Sequence, residues 1–99
     1  MDDAISLEER RRNIDRIDKT IVALLSERMR QGLAAGDVKR QHRWPTRAPE
    51  REAEVLEHVR TAAAGPLSAS SAERIFTLII EETSAVQDAA GKGGDDDVR

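Results

Sequence analysis

The chain has no cysteine, no tyrosine, one tryptophan and one phenylalanine in 99 residues. Without cysteine there is no disulfide and no thiolate metal site, which suits a reducing compartment. The two histidines, His42 and His58, cannot form a zinc site alone. Aromatic content of 2% leaves burial to Leu, Ile, Val and Ala. No stretch approaches the roughly 20 apolar residues of a membrane span. The opening MDDAISLEER is acidic and lacks the apolar centre of a secretion signal, so a cytoplasmic protein is expected. A net charge of −3 argues against general nucleic-acid binding. In the basic run Lys39-Arg40-Gln41-His42-Arg43, only the adjoining Trp44 could stack on a base.

What is present is helical patterning. Over residues 7 to about 40, Ile14, Ile17, Ile21, Leu24, Leu25, Leu33 and Val38 recur mostly at three- and four-residue steps. Ser6 and Glu9 form a capping-box pattern at the start, and residues 1–6 are expected to be flexible. Gly32 and Gly36 lower helix propensity without breaking a packed helix. Trp44-Pro45 and Ala48-Pro49 punctuate a loop. A second helix is expected from Pro49 to about Ala64, ended by Gly65-Pro66. A third follows a Ser70–Glu73 capping-box pattern and carries Ile75, Phe76, Leu78, Ile79 and Ile80. Residues 89–99 are polar, Gly-rich and acidic, and a disordered tail is expected there.

The fold class is therefore all-α, with three helices of which one is very long. At 1.5 Å per residue the first helix would extend roughly 50 Å. A compact chain of this size is roughly 30 Å across. Two shorter helices cannot cover such an apolar stripe, which predicts an intertwined homodimer.

The cations stand out next. Arg28 and Lys39, eleven residues apart, fall on one helix face. Their long side chains can converge on a ligand between them. Arg11 lies roughly 25 Å further back along the axis, too far to join them on its own chain. An antiparallel partner helix could bring it there. Arg51 and Glu52 open the second helix, and Thr83 and Gln87 sit four apart near the end of the third. Cations on several helices, with no evident nucleophile, suit a pocket that binds and shapes a small dianion.

The stretches RRNIDRID (11–18), ALLSERM (23–29), VK (38–39), PTRAPEREAEVL (45–56) and IFTLIIEETSAVQ (75–87) together resemble the all-helical chorismate mutases. The resemblance spans most of residues 7–87, within a helical domain expected over 7–88. It implies a Claisen rearrangement of chorismate to prephenate, without cofactor or metal. By position, Arg28 and Arg11 of a second chain would clamp the substrate carboxylates with guanidinium forks. Lys39 and Gln87 would donate to the ether oxygen as the C–O bond breaks. Glu52 would accept from the C4 hydroxyl, Arg51 would order that corner, and Thr83, with Ser84 beside it, would help hold a carboxylate. Small mutases of this kind sometimes depend on a partner enzyme.

One position departs from the family pattern. Ala48 stands where an Asp usually contacts the C4 hydroxyl, and it is also a poor helix cap. That leaves 4-amino-4-deoxychorismate mutase as an alternative, and isochorismate pyruvate lyase is another on the same fold, since its pericyclic step uses a similar cationic pocket. A non-catalytic helical module for metabolite binding or docking is the alternative of another class.

Overall fold

The computed structural model describes the backbone of residues 2–98 and the side chains of Asp3 and residues 6–91. Its elements are helices α1 (Asp2–Gln41), α2 (Pro49–Ala62) and α3 (Ala69–Val98), with no strand among the described residues. The chain divides into two compact units, Met1–Gln31 and Gly32–Arg99.

The first unit lies within α1. Ile14, Ile17, Ile21 and Leu24 recur on one face and are all exposed, from 47% to 63%. The i,i+3 pair of Arg30 with Glu27 at 2.8 Å is on the surface, where such pairs contribute about 1 kcal/mol or less. The helix begins at Asp2, before the Ser6–Glu9 pattern taken from the sequence as its start. An acidic opening suits the positive end of a helix dipole, so residues 2–6 continue the helix.

The second unit holds the last turns of α1, the loop and the other two helices. Helix α1 stops in a Schellman arrangement: Trp44 N–H donates to Lys39 O at 2.8 Å, and Arg43 N–H to Arg40 O at 3.2 Å. Arg43 occupies the left-handed region with φ 59°, a position glycine usually fills. The turn sends the chain through Pro45 to Pro49, the first residue of α2. Ala48 precedes it as an N-cap without a side-chain hydrogen bond, while Glu50 and Glu52 supply negative charge to the first turn.

Helix α3 is capped two residues ahead of the Ser70–Glu73 pattern. Ser68 Oγ accepts from Ser71 N–H at 3.0 Å, which makes Ser68 the working cap. Helices α2 and α3 pack together. Ala72 and Ile80 are buried, with Val55, Leu56, Val59, Phe76 and Ile79 half-buried around them. Ile75 and Leu78, on the other side of α3, remain exposed. Helix α3 continues past Gln87 to Val98, into the segment expected to be a tail. Ala89 and Ala90 are strong helix formers that carry it onward. Of the expected tail, the side chains of residues 92–98 and all of residue 99 lie outside what the structure describes.

The end of α1 approaches α3 through glycines. A Cβ at Gly32 would lie 2.6 Å from Thr83 Cγ2, and one at Gly36 would lie 3.1 Å from Gln87 Cγ. Alanine is intrinsically better in a helix by about 1 kcal/mol. Overpacking costs about 1–3 kcal/mol. Gly32→Ala should therefore lower the urea midpoint. Gly91→Ala, whose new Cβ would meet Arg40 Cδ at an ordinary 3.5 Å, should hold or raise it. An undiminished midpoint for Gly32→Ala would show that the helices have room there.

Candidate active site

Lys39 lies two residues before the end of α1, and Gln87 lies five turns into α3. Lys39 Nζ donates to Thr46 O at 2.5 Å and to Gln87 Oε1 at 3.2 Å. Gln87 Nε2 donates to Gly32 O at 2.7 Å. This sets the amide's orientation, because an ammonium only donates and a carbonyl only accepts. Gln87 is 6% exposed, and the glycine gap at residues 32 and 36 is what admits it. Arg40 NH1 donates to the Gln87 backbone carbonyl at 3.4 Å and holds the same turn of α3.

The ammonium has three hydrogens and the amide nitrogen two. These contacts occupy two and one of them, so each group retains one hydrogen for a ligand acceptor. The pair therefore holds two donors side by side, an arrangement that can serve an oxygen acceptor.

The second cluster forms where the loop enters α2. Arg47 grips Glu52 with two parallel bonds, Nε to Oε2 at 2.5 Å and NH2 to Oε1 at 2.7 Å. These bonds hold the Glu52 carboxyl below its ordinary range, and the positive charge of Lys39 adds to the effect against the opposing cost of burial. The same bonds, with the charges of Glu52, Glu81 and Asp88, hold the Arg47 guanidinium above its usual value. A pocket of about 360 Å³ opens between loop and helix, lined in part by Lys39, Trp44, Arg47 and Ala48. The Ala48 side chain brings no hydrogen-bonding group to that wall.

The expected residues divide accordingly. Lys39 meets Gln87, and Glu52 lies within the electrostatic reach of Lys39. Arg51 points elsewhere and pairs with Glu54 at 3.1 Å on the exposed face. Thr83 Oγ1 donates to Ile79 O at 2.8 Å, one turn back, while its methyl faces Gly32; Ser84 beside it is half-buried. Arg11 is exposed and Arg28 half-buried, both in the part of α1 that forms the first unit. Sequence reasoning missed Arg47 and the carbonyls of Gly32 and Thr46. Backbone acceptors leave no residue-type signal, and Arg47 sits five residues before Glu52, outside the usual helical steps.

Comparison with known proteins places the chain in a family. The profile of the family described as chorismate mutase type II matches residues 10–88. A bifunctional chorismate mutase/prephenate dehydratase of Neisseria gonorrhoeae is 36% identical over 77 residues, covering 78% of this chain and 21% of that protein. The one of Stutzerimonas stutzeri is 34% identical over 93 residues, covering 88% and 25%. The chain spans a quarter or less of the length of these relatives. The structure of a chorismate mutase (form II) from Thermus thermophilus aligns with a TM-score of 0.80 at 26% identity, covering 83% of this chain and 93% of that one.

Removing the Gln87 amide takes a partner from Lys39 and from the Gly32 carbonyl. Losing such a buried partner costs about 1–3 kcal/mol. Gln87→Leu should show that loss in urea denaturation at neutral pH and fixed protein concentration. Unchanged stability would mean that these contacts do not fix the donor pair.

Proposed function

Because this chain belongs to the chorismate mutase type II family, we propose that it rearranges chorismate to prephenate by itself, with Lys39 and Gln87 as the donors to the ether oxygen. The observation that carries the proposal is the Lys39–Gln87 pair, joined at 3.2 Å with a spare hydrogen on each nitrogen. In a Claisen shift the ether C–O bond breaks as a C–C bond forms, with no base, nucleophile or redox partner. Negative charge gathers on the oxygen during that step, and two fixed donors stabilise it more in the transition state than in the ground state. Freezing the chair-like conformer of the substrate supplies the remainder.

In this reading Arg28 and Arg11 of a second copy bind the two carboxylates, and Thr83 supports one of them. Glu52 accepts from the C4 hydroxyl, and Arg51 orders that corner once it leaves Glu54. The second copy would lie along the exposed face of Ile14, Ile17, Ile21 and Leu24, which a lone chain leaves in water. The relatives named above join mutase and prephenate dehydratase in one protein, so a prephenate-consuming enzyme is the natural partner. The setting we propose is the cytoplasm. Ala48 favours one second reading on the same chemistry, a substrate with an amino group at C4.

The test is to incubate the purified protein with chorismate, 4-amino-4-deoxychorismate and isochorismate and to resolve the products by chromatography. Chorismate should turn over fastest. Lys39→Ala and Gln87→Ala should each reduce kcat by about 100- to 1,000-fold, the usual effect of losing one fixed donor. Preference for the amino substrate would move the assignment to the second reading. Stoichiometric binding without turnover of any substrate would leave a binding module. Sedimentation should give a dimer, and Ile21→Glu should shift it to monomer; a monomeric parent would remove the shared site.

A further inference from the structure

The Arg47–Glu52 pair joins a half-exposed guanidinium to a better-covered carboxylate. Both carboxylate oxygens are engaged by one guanidinium, at 2.5 and 2.7 Å. The Glu52 side chain is 24% exposed, whereas those of Arg51 and Glu54 nearby on α2 are about two-thirds exposed. Arg47 precedes the helix and Glu52 lies in its first turn, so the bond spans Ala48, where no side chain caps α2. Each carboxylate oxygen has two acceptor sites, and the fork uses one on each. Glu52 therefore remains able to accept a hydroxyl hydrogen while its orientation is fixed. Lys39, from α1, is the other cation that acts on it, and Glu81 and Asp88 act on Arg47.

We propose that Arg47 is a positioning residue that locks Glu52 in place as an ionised acceptor, at a corner where the Ala48 side chain offers no hydrogen bond. The role assigned to Glu52 rests on the mutase reading above; the lock itself does not. Lys39 has two other partners and acts on Glu52 only through space, so among the described residues it is the Arg47 fork that sets the direction of the carboxylate. The fork also makes the corner electrostatically selective. With its charge balanced by Arg47, Glu52 suits a neutral hydroxyl; without Arg47 it would be freer to attract an ammonium at the same position.

The sign of the pH effect follows from the lowered pKa of Glu52. With Arg47 present the carboxylate stays charged further into acid, so turnover that needs it persists there. Without Arg47 the group protonates at higher pH, and activity is lost earlier as pH falls. The experiment titrates the side-chain carboxyl of Glu52 by carbon-13 NMR, with Glu52→Gln identifying the signal, in the parent, Arg47→Ala and Arg47→Lys. In parallel, kcat/KM for chorismate and for 4-amino-4-deoxychorismate is followed against pH.

The Glu52 midpoint should rise in Arg47→Ala and recover in part in Arg47→Lys, which restores charge without the fork. The acid limb of kcat/KM should move with it. At neutral pH Arg47→Ala should lose about 10- to 100-fold on chorismate, the scale of a misplaced positioning group, and its ratio of amino to hydroxyl substrate should increase. An unmoved midpoint overturns the lock. A moved midpoint with an unmoved acid limb overturns its catalytic role. A parent that turns over no chorismate refutes the mutase reading, while the NMR midpoint still decides whether Arg47 holds Glu52.

Discussion

The Lys39 ammonium links three parts of the second unit. Lys39 Nζ reaches the loop through the Thr46 carbonyl and reaches α3 through Gln87, so one charge connects three parts of the chain. Its own position depends on two conditions. The α1 helix must end in the turn that begins at Lys39 O and closes on Trp44 N–H, and α3 must come close enough for Gln87 to lie beneath it. The first is met by a left-handed Arg43 and the second by Gly32 and Gly36. The donor pair at the centre of the proposed chemistry is thus produced by backbone features that contain no functional group.

That dependence explains what the sequence disclosed. The three helices were legible because the apolar spacing of α1 and the prolines at 45 and 49 are local signals. Lys39 and Gln87 were linked only through the family resemblance, which gave them a common acceptor, and the structure joins the two side chains directly. The glycines at 32 and 36 read as weak points in a helix, although they are the places where α3 comes closest. Caps were harder still. Ser6 and Ser70 both fit the capping pattern, yet α1 starts before the one and Ser68 serves α3. A three-residue pattern recurs by chance, and only the actual chain path selects among the candidates. Arg47 was invisible because its value arises from crossing a helix boundary, which no periodicity marks.

The burial pattern sets the limits of a lone chain. Ala72 and Ile80 are the buried apolar side chains among the described residues, against a series of large apolar groups in water. A core that small contributes little against the entropy of ordering about a hundred residues. The apolar face of α1 is evident from its spacing, and its exposure is the physical reason to expect a second copy rather than a larger monomer.

The close approach of α1 and α3 also decides where this chain can change length over evolutionary time. Gly32 and Lys39 are about two helical turns apart, and Thr83 and Gln87 about one, so the two helices mesh like a toothed rack at those positions. A single residue inserted between Gly32 and Lys39, or between Thr83 and Gln87, would rotate one set of teeth by roughly 100° and uncouple every contact beyond it. Between Ala62 and Ala69 no such indexing exists, and loop lengthening there has only a small entropic cost. Homologues should therefore differ in length at the α2–α3 loop and keep a constant count through the two meshed segments.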